Sequence, residues 1–189
     1  MRIGIAALLG AIVVFFWQFL AHMVLPIGEM GFRQPANEDI VLQAVATGLP
    51  QPGIYFLPTI DPNKMSDEAT VKAWAEKSQK NPYVWAVVNT PPTGDPTSMA
   101  PQLAKQFVLN FLAALLATFV LAATAWTFGA RVIGAVAFGL FGWLMNIVPQ
   151  WNWYRFPSDF MVGNLLEQGI GWLLGGIAIA WWLGRAVRR

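Results

Sequence analysis

The stretch from Gly134 to Leu183 reads GAVAFGLFGWLMNIVPQWNWYRFPSDFMVGNLLEQGIGWLLGGIAIAWWL. Two apolar runs flank one aromatic segment, Gln150 to Asp159. Each run approaches the roughly 20 apolar residues that cross the hydrocarbon core of a bilayer. The stretch therefore predicts a membrane hairpin, in which two helices are joined by a tight turn rich in Trp. The second run carries one acid, Glu167, about 10 Å inside when counted from Phe160 at about 1.5 Å per residue. An ionisable side chain at that depth is costly and needs a partner.

The rest of the composition agrees with a membrane reading. Of the 189 residues, 56% are hydrophobic and 12% charged, and the mean hydropathy is +0.49. Soluble domains carry about 25% charged residues. The ten tryptophans are a residue type that collects at membrane–water interfaces. No cysteine is present, which excludes disulfides, thiolate metal ligation and thiol redox chemistry. A single histidine excludes bis-His haem ligation within one chain. No Walker loop, dinucleotide fingerprint, HExxH, GxSxG or nucleic-acid-binding signature occurs. No cofactor is expected.

Working outward, Ile3 to Leu25 is an uncharged apolar run that ends at Pro26. It is longer than a signal-peptide core and bulky near its end (Phe15, Phe16, Trp17, Phe19), so it predicts a retained first transmembrane helix. Residues 27–102 differ sharply, holding four of the five lysines and most prolines. They predict a small α+β domain. Asn37 is a candidate N-cap for a helix stopped by Gly48, and Ser66 for a helix reaching about Gln79. Gly53 to Leu57 and Tyr83 to Val88 read as two strands, and Thr90 to Pro101 as a linker. Further membrane helices are expected from about Leu103 to Trp126, Val132 to Val148 and Phe160 to Leu183. Thr127 to Arg131 then forms a turn.

The expected fold is an integral membrane α-helical protein. It has a four-transmembrane-helix bundle with a small α+β extracytoplasmic domain between helices 1 and 2. The segments are residues 1–26, 27–102 and 103–189. Arg2, Arg131, Arg185, Arg188 and Arg189 fall on one side of this arrangement, so the positive-inside rule places both termini in the cytoplasm and residues 27–102 outside. The composition is that of a bacterial inner-membrane protein with a periplasmic domain. Membrane lipids are the expected neighbours, together with a protein partner or a second copy of the chain. No nucleic acid is expected.

Small residues recur at helical spacing on every apolar run: Ala7, Ala11, Ala21; Ala114, Ala117, Thr118, Ala125; Ala135, Gly139, Gly142; Gly171, Gly175. Such stripes let membrane helices approach closely. Gln18, His22, Asn110, Asn146, Asn164, Glu167 and Gln168 all lie within roughly 10 Å of the outer helix ends. Folding would gather them into one buried polar cluster beneath the aromatic segment, whose Trp151, Trp153, Tyr154 and Arg155 form a candidate lid or partner surface. Amides between helices contribute about 0.6 kcal/mol each, so the cluster has a purely structural reading. A carboxyl and an imidazole sharing a shielded pocket is also the pattern of a binding or proton-handling site.

In layout, a large first outer loop and a short second one, the chain resembles claudin-like four-span proteins. Its first loop lacks their paired cysteines, so no residue role carries over. Three functions are compatible with the sequence. The first is a non-enzymatic accessory, scaffold or lipid- or partner-binding protein. The second is a small oligomeric transporter or proton-coupled carrier using Glu167, His22 and Gln18. The third is an enzyme on lipid headgroups with Glu167 and His22 as an acid–base pair. The absence of a nucleophile or metal constellation places the first ahead.

Overall fold

The computed structural model describes residues 1–81, 86–90, 95 and 98–185 of the chain. In chain order the elements are α1 (Arg2–Met23), α2 (Glu38–Gly48), β1 (Gly53–Phe56), α3 (Glu68–Lys80), β2 (Ala86–Asn89), α4 (Ala100–Ala122), α5 (Phe128–Gly142), α6 (Val148–Tyr154) and α7 (Ser158–Arg185). They form two compact units, Met1–Phe32 with Pro96–Arg189, and Arg33–Asp95.

In the first unit, three stretches are long and apolar enough to cross a membrane: Arg2–Met23, Ala100–Ala122 and Phe128–Tyr154. These support membrane association. The sequence predicts a fourth, from Phe160 to Leu183. α7 is longer still, at 28 residues, but Asn164, Glu167 and Gln168 lower its hydropathy. α1 packs along α4 and α7, and α7 also packs along α5. The side chains are distributed opposite to those of a water-soluble core. The contact seams hold small residues, with Ala7, Ala11 and Ala135 fully buried. Large residues such as Phe16, Leu116, Phe119, Ile133 and Phe141 face outward. Small seams and bulky exteriors are what helices need when lipid, not water, surrounds them.

The glycines on α7 show how close the approach is. A Cβ on Gly175 would lie 2.6 Å from Val14 Cγ2 of α1, and one on Gly176 would lie 2.5 Å from Ala135 Cβ of α5. The expected stripes are buried at Ala7, Ala11, Ala21, Ala114, Ala117, Thr118, Ala135, Gly139, Gly171 and Gly175. Ala125 lies beyond the end of α4, and Gly142 has no neighbour within 4 Å of where its Cβ would be.

One end of this unit is bound by arginines. Arg131 is buried, and its guanidinium donates to the carbonyls of Leu121 at 3.3 Å and Thr124 at 3.4 Å, at the C-terminal end of α4. Arg2 donates to the carbonyl of Leu183 near the end of α7. Arg185 lies 3.9 Å above the ring of Trp181. Cations suit helix C-termini because the last carbonyls are unpaired and carry the negative end of the macrodipole. Arg188 and Arg189 lie outside the described residues.

Several boundaries differ from the sequence reading. α4 starts at Ala100, with Pro101 in its first turn where the missing N–H is harmless, and it stops well before Trp126. The turn expected at Thr127 to Arg131 is instead the start of α5, with Thr127 Oγ1 accepting from Ala130 N at 3.3 Å. The aromatic segment is largely helical. A π-helical turn, Trp143–Ile147, joins α5 to α6, so Trp151 and Trp153 sit on a helix. The π turn accommodates Pro149, which has no N–H to donate. The chain reverses only at Arg155, which is left-handed at φ 56°.

The second unit is thin-cored. Its two strands pair antiparallel, with Ile54 opposite Val88. The Tyr83–Trp85 part of the second expected strand lies outside the described residues. Asn37 Oδ1 accepts from Ile40 N at 3.1 Å and caps α2. Asp67, not Ser66, caps α3, accepting from Thr70 N at 3.1 Å. The Thr70 hydroxyl donates to the same carboxylate, and together the two bonds hold the Asp67 carboxyl below the usual carboxylate range, the hydroxyl bond contributing most. Asn89 Nδ2 donates to Leu49 O at 2.7 Å, and Trp74 Nε1 to Pro58 O at 3.0 Å. Leu49 is the one buried apolar residue of this unit among those described.

Candidate functional site

At the end of the helical unit opposite the arginines, polar side chains from α1, α4 and α7 meet. Gln18 and His22 are one turn apart on α1 and so share a face. Gln18 Oε1 accepts from Asn110 Nδ2 at 2.6 Å and from Gln106 Nε2 at 3.4 Å. Gln106 Nε2 also donates to Asn110 Oδ1 at 3.0 Å. The three amides thus form a closed set between α1 and α4, with Asn110 only 8% exposed.

His22 faces the other way. Its Nε2 lies 3.3 Å from Glu167 Oε2, and the two side chains are 45% and 15% exposed. This contact joins α1 to α7. It is braced one turn along by Trp17, whose Nε1 donates to the Glu167 carbonyl at 3.0 Å. The loop after α1 completes the setting. Gly28 N donates to Ala21 O at 2.9 Å, and its backbone sits so close to His22 that a Cβ there would lie 2.2 Å from Nδ1. Gly31, at φ +91°, passes against Phe160, and Ile27 and Met30 lie against Gly163. The loop is therefore folded back over the first turns of α7, and it brings Glu29 to the site.

These groups border a cavity of about 450 Å³. Phe15, Phe19, Met99 and Leu103 give it apolar walls, and Gln18, Gln106, His22, Glu29 and Glu167 give it a polar side. Phe15 packs edge-on against Phe107 at 5.6 Å, which fixes that wall.

The gathering is narrower than the seven residues singled out from sequence. Gln18, Asn110, His22 and Glu167 are held in two contacts. Asn146 instead donates to its own helix at Gly142 O, 2.9 Å, and Asn164 to Phe160 O, 2.9 Å. Gln168 is partly buried on α7 and does not line the cavity. Asn146 lies in the π turn Trp143–Ile147, which packs against α7. The proposed lid residues Trp151, Trp153, Tyr154 and Arg155 do not line the cavity either. Trp153 is 70% exposed, and Trp151 Nε1 donates to Ser158 Oγ at 3.1 Å.

Two residues of the site escaped the sequence reading. Gln106 precedes Asn110 by one helical turn, and that spacing alone would have placed it on the same face. Glu29 lay in what read as the start of a polar domain, and only the folded-back loop brings it in. Among the described residues no Ser, Thr, Tyr, Lys or Arg lines the cavity. Among the described residues no group of three or more His, Asp or Glu side chains is arranged to hold a metal. The arrangement can bind polar and apolar groups side by side, and its one imidazole–carboxylate pair can share a proton.

No protein-family model, curated protein or solved structure matches this chain.

Proposed function

We propose that this chain is a non-enzymatic integral protein of a bacterial cytoplasmic membrane that binds a membrane lipid or a related amphiphile. In this reading α1, α4, the α5–α6 helix and α7 all span the bilayer as a four-helix bundle. Both termini are cytoplasmic and the Arg33–Asp95 unit is outside. Residues 27–102 and the aromatic α6 end then serve an accessory role toward neighbouring lipid or a protein partner.

The observation that carries the reading is the cavity itself. It has apolar walls from Phe15, Phe19, Met99 and Leu103 and a polar side from Gln18, Gln106, His22, Glu29 and Glu167, which is the division an amphiphile presents. Its volume of about 450 Å³ falls within the range of roughly 300–1,000 Å³ usual for small-molecule sites. A headgroup enzyme is a weaker reading, because among the described residues the lining supplies no hydroxyl or amine nucleophile.

Native mass spectrometry of protein purified in mild detergent tests it. The wild type should retain lipid, and filling the cavity with Leu103→Trp should reduce that retention by roughly tenfold, the loss of about 1.4 kcal/mol of binding. Equal retention by both proteins, with Leu103→Trp folded, would refute the cavity as the lipid site.

A further inference from the structure

We infer that the cavity selects amphiphiles whose head is an ammonium group over those whose head is a phosphate or other anion. This inference rests on the binding role proposed above and adds the chemistry of the head.

Among the described residues, the titratable groups lining the cavity are Glu29, Glu167 and His22. Two are carboxyls and one is an imidazole, so acidic groups outnumber basic ones. Among the described residues no lysine or arginine lines it, so an anionic head would meet two carboxyl groups there and no guanidinium or ammonium to receive it. Recognition of phosphate is ordinarily built from Arg, Lys or a helix N-terminus; among the described residues the lining has neither Arg nor Lys, and of a helix N-terminus only Met99 and Leu103 at the start of α4.

The remaining lining chemistry favours the opposite sign. Phe15 and Phe19 stand on the walls of the same cavity as the carboxylates. Alkylammonium groups are attracted to aromatic faces by the ring quadrupole and to carboxylates by charge. Gln18 Oε1 is already committed to Asn110 and Gln106, which leaves the carboxylates of Glu29 and Glu167 as the acceptors suited to a cation. The Glu167 side chain is 15% exposed and meets His22 through Oε2. A carboxylate offers about four lone-pair sites, so a guest N–H can bond to it alongside the imidazole. The alkyl tail then lies along Met99, Leu103 and the aromatic wall.

The test uses four probes with the same twelve-carbon chain: dodecylammonium, dodecyltrimethylammonium, dodecyl phosphate and the uncharged monododecanoylglycerol. Binding to the full-length protein is followed at pH 7 in a non-ionic detergent by tryptophan fluorescence and calorimetry. The cationic probes should bind roughly tenfold or more tightly than dodecyl phosphate, as one charge-assisted contact implies. Glu29→Gln, on the loop, should shrink that preference without weakening the uncharged probe. Glu167→Gln should do the same, with Glu29→Gln keeping the test valid if the α7 variant does not fold. If all four probes bind alike, or the phosphate binds best, the ammonium inference is overturned while the amphiphile cavity survives. If none binds, and Leu103→Trp also leaves retained lipid unchanged, the cavity reading falls with it.

Discussion

Replacing Gly28 with alanine should open the His22–Glu167 contact while leaving the helices around it folded. A Cβ at position 28 would lie 2.2 Å from His22 Nδ1 and 2.5 Å from both Cγ and Cε1. Near-equal distances to three successive ring atoms place it over the face of the imidazole and not at its edge. Non-bonded atoms settle about 3.5 Å apart, so the ring must move by more than about 1 Å across its own plane. The bond to Glu167 Oε2, at 3.3 Å, lies along Nε2 and cannot survive that sideways shift in its present alignment. The free-energy cost is small. An imidazole–carboxylate pair with one partner half exposed contributes at most about 1 kcal/mol, and Gly→Ala in a loop at ordinary φ gains about 0.4–1 kcal/mol from the unfolded chain. Unfolding stability should therefore stay within about 1 kcal/mol of wild type. The readout is unusually clean, because His22 is the single histidine. Protein labelled with ¹⁵N-histidine gives one imidazole signal pair in detergent micelles. The Gly28→Ala signals should move away from wild type and toward those of Glu167→Gln. Should they superpose on wild type while Glu167→Gln moves, the loop does not position the imidazole and the steric argument is wrong.

Gly176→Ala and Gly169→Ala form a matched pair on α7. The first puts a Cβ 2.5 Å from Ala135 Cβ, which cannot rotate away, and the second meets nothing within 4 Å. Gly176→Ala should lose about 1–3 kcal/mol from overpacking while Gly169→Ala gains up to about 1 kcal/mol of helix propensity, compared by SDS titration from micelles. At Asp67 the folded carboxyl titrates below its unfolded value of about 3.9, because Thr70 hydrogen bonds favour the ionised form. Its contribution to α3 is thus complete above that unfolded value and lost as pH falls through the lower folded one. Asp67→Asn should flatten the acid limb of thermal stability there, and an unaltered limb would count against the assignment. Because the chain has no cysteine, single cysteines report topology directly. Ser66→Cys should react with a membrane-impermeant maleimide on intact cells and Gly129→Cys only after lysis, and the reverse pattern would invert the proposed orientation.

What the sequence made legible was what depends on helical period and depth. Ala7, Ala11, Ala114, Ala135 and Gly175 announce a buried seam because a stripe of small residues between large ones has one use in lipid. Glu167 and His22 could be paired from counting residues to the helix ends. Features set by local geometry were harder to read. Pro149 reads as a breaker, yet the π turn Trp143–Ile147 carries the helix past it, and Asn146 within that turn bonds to Gly142 O and does not join the expected cluster. Ser66 and Asp67 are adjacent cap-formers. The carboxylate takes the position because an ionised acceptor makes the stronger bond to a helix N–H. Glu29 was invisible because its place depends on Gly28 and Gly31 letting the loop close on His22 and Phe160, a tertiary event with no periodic signature.

The distribution of buried polar atoms bears on whether the site binds or conducts. Among the described residues, the buried polar side chains are Asn110, Thr118 and Arg131. Asn110 closes the amide set, and Arg131 belongs to the opposite end, on the carbonyls of Leu121 and Thr124. From Asn110 to Thr118 is eight residues, about 12 Å along α4, four times the reach of a hydrogen bond. The interval is occupied by Ala114 and Ala117, each 1% exposed. Beyond Thr118, Leu121, Ile179 and Leu183 are packed to within 1% of full burial. A proton or solute arriving at Glu167 therefore meets close-packed apolar side chains before it reaches the arginine end. A transporter built from this chain would need its pathway at an interface between copies. Binding needs only the cavity that one copy already contains, and for that reason the binding reading stands ahead of the carrier.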